Sequence, residues 1–183
     1  KAARVSPKLQ GQSLEVTDYV RLMRVVTTTM DDEMMGLLHR PQRLGYFALA
    51  CSHASHAKNL LEAQCRLVET LSLMDNSLHF LQLQQGSEVC MQVQLHGGKA
   101  VRNEHVIELT LMLLHRFLSW LGGGDLPLQS VSLDRAMPEH HLIHTAWFAE
   151  AKIQYANSPS ALHYSLVALH QPVVRTEAEA AAW

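Results

Sequence analysis

The segment from Leu78 to Leu95, LHFLQLQQGSEVCMQVQL, determines the fold class. In its second half, apolar residues alternate with polar ones, as in a strand with one buried and one polar face. The apolar positions are Val89, Met91, Val93 and Leu95. Between the two halves, Gln85-Gly86-Ser87 has the composition of a tight turn. The segment therefore predicts a β-hairpin that covers a core with one face.

Segments whose apolar residues have helical spacing lie on both sides of this hairpin in the sequence. Apolar residues recur every three or four positions in 14–30 and 55–74, and 44–51 is a short apolar segment typical of a buried helix. The strongest helix is predicted at 102–121. It is apolar nearly all round, so it should be buried on most sides, either in a core or at a subunit interface. It carries one narrow polar stripe: Glu104, Glu108, His115 and Ser119.

The remainder predicts a strand at 128–134, a short helix at 139–148, and a second hairpin whose strands are 152–156 and 161–167. Hairpins interspersed with helices indicate a mainly antiparallel sheet packed with several helices. We therefore expect a single α+β domain spanning residues 1–183.

Charge and composition exclude several classes of protein. The 183 residues include 15 Lys and Arg against 17 Asp and Glu, a net charge of −2, so this stretch alone is not expected to grip a nucleic-acid backbone. Three cysteines without a C-x-x-C motif favour a reducing cytoplasm over a disulfide scaffold. No apolar run is long enough to cross a membrane, and no signal peptide is visible.

The twelve histidines raise the alternative of a metal-binding sensor or a small metal-dependent enzyme. His140, His141 and His144 form H-H-x-x-H, which puts two imidazoles on one helix face, and His53 and His56 repeat a weaker spacing. However, the motif lacks the Glu that would act as a base, and no third ligand follows from spacing. Neither a G-x-S-x-G nor a phosphate loop is present. We expect no metal, no cofactor and no catalytic residue.

Several stretches carry a family resemblance. The segment 114–121, LHRFLSWL, is similar to the H-R-F-A-S-W-L helix of AraC-type regulators with an arabinose-binding-like N-terminal domain. Leu44-Gly45-Tyr46, Pro138-Glu139-His140 followed by Phe148, and 169–177, LHQPVVRTE, resemble further segments of that family in the same order. Two departures are Ile143-His144, where a Glu-Tyr pair is expected, and the Gly122-Gly123-Gly124 helix exit.

The resemblance implies a domain that binds a small-molecule effector, forms a homodimer, and controls DNA binding by a C-terminal helix-turn-helix domain absent from this chain. The missing initiator Met and a capping box at Thr176 and Glu179 agree with an expectation that the polypeptide continues beyond Trp183. DNA would then be contacted only through that further domain, with no enzyme activity and no membrane.

An effector pocket should be concave and apolar, with a few convergent polar groups. Polar and aromatic residues predicted on the sheet and the long helix are the candidates for contacting the effector: His79, Gln92, His115, Trp120, Tyr155 and His163. Glu108 and Arg116 are further polar residues of the long helix, which either face solvent or form pairs.

Overall fold

A computed structural model describes residues 15–74, 77–96, 104–124, 126–139, 141–149 and 151–182. The helices α1 (Val16–Met30), α2 (Tyr46–Ser55) and α3 (Leu60–Ser72) form its first part. They confirm the helices predicted there. Asn59 caps the start of helix α3: its side-chain oxygen accepts a hydrogen bond from the backbone N–H of Glu62 at 2.9 Å. The turns predicted at 75–76 and 97–98, His140 and Trp183 lie outside the described residues.

Helix α1 differs from the other long helices because none of its described side chains is buried. Its apolar residues recur at helical spacing, yet Tyr19, Val20 and Val25 are 52%, 58% and 53% exposed. Periodicity predicts the helix correctly, whereas it does not reveal whether the apolar face has a covering element.

Within the described residues, five strands form one sheet: β1 (Leu78–Gln85), β2 (Glu88–Leu95), β3 (Ser130–Leu133), β4 (Lys152–Tyr155) and β5 (Ala161–Ser165). Their order is β1-β2-β5-β3-β4. Strands β1 and β2 form the predicted hairpin, with Gln85 opposite Glu88 at the turn. Three of the four pairings are antiparallel and β3–β4 is parallel, which confirms the mainly antiparallel α+β class.

The second predicted hairpin is wrong. Strands β4 and β5 do not pair, because β3 lies between them and pairs with both. The predicted strand 161–167 also ends early, at Ser165, where helix α6 (Leu166–Leu169) begins. The reason for this ending is a helix cap: the Ser165 hydroxyl oxygen accepts a hydrogen bond from the backbone N–H of Ala168 at 3.1 Å.

Helix α4 (Glu104–Leu121) lies against one face of the sheet and is the centre of the core. Its fully buried residues include Leu111, Leu114, Phe117 and Leu118, and they pack in one cluster with residues of α3 and of the inner face of β2. At its end, Gly123 has φ +86°, a left-handed conformation that suits glycine. The other face of the sheet is left uncovered by these helices.

The shorter helices α5 (Leu142–Phe148) and α7 (Glu177–Ala182) complete the fold. Before α7, the predicted capping box is confirmed: the backbone N–H of Thr176 donates to Glu179 Oε2 at 2.9 Å, and the N–H of Glu179 donates to Thr176 Oγ1 at 3.3 Å. No described helix combines the length and apolar character needed to cross a lipid bilayer.

Candidate functional site

On the outer face of the sheet, the alternation of β2 directs its polar residues away from the helices, while β1 contributes the exposed Leu81 and Leu83. Antiparallel register places Cys90 of β2 directly opposite His163 of β5. Facing pairs of this kind bring their Cβ atoms about 4.5–5.5 Å apart. The imidazole is thereby held at the centre of the sheet, between side chains of β2 and β3.

His163 is fixed by contacts on both sides of its ring. Its Nδ1 lies 2.9 Å from Glu88 Oε1, and its Nε2 lies 3.1 Å from Ser132 Oγ. The side chain of Cys90 also hydrogen-bonds to the imidazole. This bond to Cys90 and the Glu88 carboxylate raise the pKa of His163 to about 9, although partial burial opposes the charge. The ring is therefore an imidazolium at neutral pH.

A cavity of about 150 Å³ opens beside this imidazolium, and we refer to it as the His163 cleft. It is lined by Leu83, Gln85, Glu88, Cys90, Gln92 and His163. The cleft combines one apolar side chain with two amides, a carboxylate, a thiol and a cation. Two of the six predicted effector-contacting residues, Gln92 and His163, thus meet in one cavity.

A second cavity, of about 360 Å³, lies at the far end of the β1–β2 hairpin. It is lined by Ser72, Met74, Leu78, His79, Phe80, Leu81, Gln94 and His96. The rings of His79 and His96 meet edge to face, with centroids 4.1 Å apart. This pocket holds a third predicted residue, His79, but it is separate from the His163 cleft.

A buried ionic cluster is centred on Glu108 of α4, which is 2% exposed. Its carboxylate lies 2.8 Å from Arg135 Nη1, 3.2 Å from His105 Nδ1 and 3.4 Å from His144 Nε2. His144 Nδ1 in turn lies 2.9 Å from the hydroxyl of Tyr155. An adjoining cavity of about 20 Å³ has room for about one water molecule. Within the described residues, this adjoining cavity is therefore too small for an organic ligand.

Burial and the charges within this cluster shift the pKa values of Glu108 and Tyr155. Burial raises the pKa of Glu108, but the hydrogen bond and charge of Arg135, with help from His105 and His144, outweigh it, so the pKa lies below its ordinary value. Burial and the Glu108 charge raise the pKa of Tyr155. Tyr155, predicted to contact an effector, hydrogen-bonds to His144 in this cluster.

The remaining two predicted residues belong to packing contacts. His115 is 8% exposed, its Nδ1 lies 3.0 Å from the Tyr164 hydroxyl, and burial lowers its pKa to about 4, so it is neutral in the core. Trp120 stacks near Phe117, and the Arg175 guanidinium lies 5.2 Å from its ring centre. Neither residue lines any of the three cavities described above. Glu108 is paired, whereas Arg116 is exposed.

Sequence reasoning missed Glu88, Cys90 and Arg135. The first two had a signal, because alternation in β2 places them on the same polar face as Gln92. Arg135 had none, since it follows β3 in a loop and reaches Glu108 across 27 positions in sequence.

The histidines considered as metal ligands have other partners. His53 Nδ1 contacts the Thr70 hydroxyl at 2.9 Å, and His56 Nδ1 contacts the carbonyl oxygen of Ser52 at 2.9 Å. His141 Nδ1 lies 3.1 Å from the carbonyl oxygen of Pro138. Among the residues that the structure describes, no group of three or more His, Cys, Asp or Glu side chains is arranged to hold a metal ion.

In the part of the chain that the structure describes, the His163 cleft opens on the sheet face turned away from α4. The sequence matches the model for the arabinose-binding domain of AraC transcription regulators, N-terminal, over residues 2–173. The chain belongs to that family. No curated protein matches the chain.

Among solved structures, the chain is similar to the transcriptional regulator CdpR from Pseudomonas aeruginosa. The TM-score is 0.55 at 12% sequence identity, and the match covers 92% of this chain and 61% of that one. At this identity the likeness establishes a shared fold. The chain spans about three fifths of the length of that regulator.

Proposed function

We propose that this domain senses a small polar effector in the His163 cleft and, as a homodimer, controls DNA binding by a C-terminal helix-turn-helix domain of the same regulator. The observation that carries the assignment of the site is the imidazolium of His163, held by Glu88 and Ser132 at the edge of a cavity. Membership of the family supports the regulatory role. A transcription regulator of this kind acts in the cytoplasm.

The lining of the cleft indicates the chemistry of the effector. A protonated imidazole attracts a carbonyl or carboxylate oxygen, and the amides of Gln85 and Gln92 can donate to or accept from neighbouring polar groups. Leu83 offers apolar contact to a short carbon skeleton. A volume of about 150 Å³ suits a molecule of a few heavy atoms. We therefore propose a small oxygenated metabolite as the effector.

A change in the cleft has a short path to the core. Strand β2 presents Cys90 and Gln92 to the cleft, while the alternate residues Val89 and Met91 are fully buried in the cluster that contains α4. An effector that prefers one packing of β2 against α4 would shift the balance between two arrangements of the domain or dimer. The near-neutral charge of the chain leaves DNA binding to the further domain.

Calorimetric titration of short-chain carboxylates, amino acids and sugars tests the site. For a ligand that binds, we expect His163→Gln to weaken the affinity at least about tenfold, which corresponds to the loss of one charged hydrogen bond. His79→Gln, on the same sheet face but in the other cavity, is the matched control. If His79→Gln abolishes binding and His163→Gln does not, the effector site is the second cavity. Sedimentation of the purified chain as a monomer at all concentrations would contradict the homodimer.

A further inference from the structure

Cys90 differs from the other two cysteines in its surroundings. Cys51 is buried, and burial together with the Glu33 charge raises the pKa of its thiol to about 12. Burial also raises the pKa of the Cys65 thiol, on α3. Cys90 is half-buried, lines the His163 cleft and hydrogen-bonds to an imidazole. Thiol reactivity depends on access and on the neighbouring groups, and Cys90 opens into a cavity directly across the sheet from the His163 imidazole.

Cys90, His163 and Glu88 are arranged in the sequence of an activated nucleophile: a thiol, an imidazole and an orienting carboxylate. The thiol contacts the imidazole of His163, and the imidazole is oriented by the Glu88 carboxylate, 2.9 Å from Nδ1. The groups that face the imidazole are Glu88 and Cys90 from β2 and the Ser132 hydroxyl from β3. Asn157 Nδ2 donates to Ser132 Oγ at 3.0 Å, which fixes that hydroxyl as well. The whole arrangement opens into a cavity.

We propose that Cys90 is a covalent sensing site for small α,β-unsaturated carbonyl compounds, which enter the His163 cleft and add to its sulfur. The inference rests on the proposed effector site and names the chemical class of its effector. Of the residues that line the cleft, Leu83 would contact the carbon skeleton, and the imidazolium of His163 and the amide of Gln92 would be the donors for the carbonyl oxygen.

The chemical step is a conjugate addition. The Cys90 thiolate attacks the β-carbon, a sulfur–carbon bond forms, and the π electrons of the C=C bond move toward the carbonyl to give an enolate. The imidazolium of His163 donates its proton to the enolate, leaving a neutral saturated carbonyl adduct and a neutral imidazole, which regains a proton from water. Nothing leaves and nothing is oxidised, so no other reactant is required.

The test treats the chain with crotonaldehyde at pH 7, stabilises adducts with borohydride, and locates them by peptide mass spectrometry. We expect Cys90 to be modified at least about tenfold faster than Cys65, because Cys90 opens into the cleft whereas burial raises the pKa of the Cys65 thiol. Butyraldehyde, the saturated analogue, should give no stable addition at sulfur. Equal rates at Cys90 and Cys65 would overturn the proposal, as would oxidation of Cys90 by hydrogen peroxide without any crotonaldehyde adduct.

A second measurement isolates the role of His163. His163→Gln should slow both reagents, since both need the activated sulfur, but it should slow crotonaldehyde addition at Cys90 at least about tenfold more than alkylation by iodoacetamide, whose displacement step needs no proton donor. His79→Gln is the control, and near-ultraviolet circular dichroism checks the fold of each variant. Equal slowing of both reagents would overturn the proton-donor step. If Cys90→Ser still binds a non-covalent effector while wild type forms no adduct, the covalent inference fails and the proposed function stands.

Discussion

Glu108→Gln should remove the central charge of the buried cluster while keeping the shape of the side chain. The carboxylate is 2% exposed and the Arg135 side chain is 15% exposed, so the substitution leaves a nearly buried guanidinium without its anion. Breaking a buried pair on one side costs about 3–5 kcal/mol. Because Arg135 keeps some contact with solvent, we expect the lower end, about 3 kcal/mol of unfolding free energy.

For a chain of this length, about 3 kcal/mol corresponds to a fall in Tm of roughly 6–12 °C, measured by circular dichroism at pH 7. Glu177→Gln is the matched control, because that carboxylate is 61% exposed and its contact with His56 is screened by water. The double variant Glu108→Gln with Arg135→Met should recover part of the lost unfolding free energy, since it also removes the guanidinium that pairs with Glu108 in the wild type.

The pH dependence provides an independent check. The pKa of Glu108 in the folded state lies below its ordinary value of 4.5. Its stabilising contribution is therefore complete above pH 4.5 and is lost as the pH falls through the folded-state pKa. The difference in Tm between wild type and Glu108→Gln should shrink in that acidic range. A fall of less than about 2 °C at pH 7, or a double variant no more stable than the single one, would refute the reasoning.

Two further predictions concern stability. The pKa of His115 falls from 6.5 to about 4 on folding, so the unfolded chain binds more protons than the folded chain between these pH values. Acidification from pH 7 to pH 5 should therefore lower the unfolding free energy by about 2 kcal/mol through this group. In urea titrations, His115→Phe should remove this dependence of the unfolding free energy on pH, while His79→Gln should leave it unchanged. Gly123→Ala should lower the unfolding free energy by about 1–2 kcal/mol, because a Cβ at φ +86° would lie 2.8 Å from Val174 Cγ2. Gly124→Ala, whose Cβ meets nothing within 4 Å, is the control, and equal urea midpoints for the two variants would contradict this explanation.

The sequence predicts local structure well where one pattern dominates. Alternation in 88–95 and apolar spacing in 102–121 predict β2 and α4, and their burial follows from the same residues. Turn chemistry at Gly86 predicts the first hairpin for the same reason. These features depend on neighbours in the chain, so a single segment contains the information needed to predict them.

The order of the strands and the partners of the polar side chains cannot be predicted in this way, because they depend on residues distant in the sequence. The insertion of β3 between β4 and β5 depends on backbone pairing between segments about 30 positions apart, and no turn motif signals it. In the same way, the polar residues of α4 give no indication that Glu108 meets Arg135 while His115 meets Tyr164. The His163 cleft needed the pairing of β2 with β5, which placed Cys90 opposite His163.

The central position of β5 has a consequence for biosynthesis. The first hairpin is complete at Leu95, yet the strand that covers the free edge of β2 begins only at Ala161. At ribosomal speeds of about 5–20 residues per second, synthesis from Leu95 to Ala161 takes roughly 3–13 s, and during this time the backbone donors and acceptors on the free edge of β2 are open to other chains. We therefore expect nascent copies to be prone to edge-to-edge association in that interval, and a chaperone that shields the edge of β2 would act then.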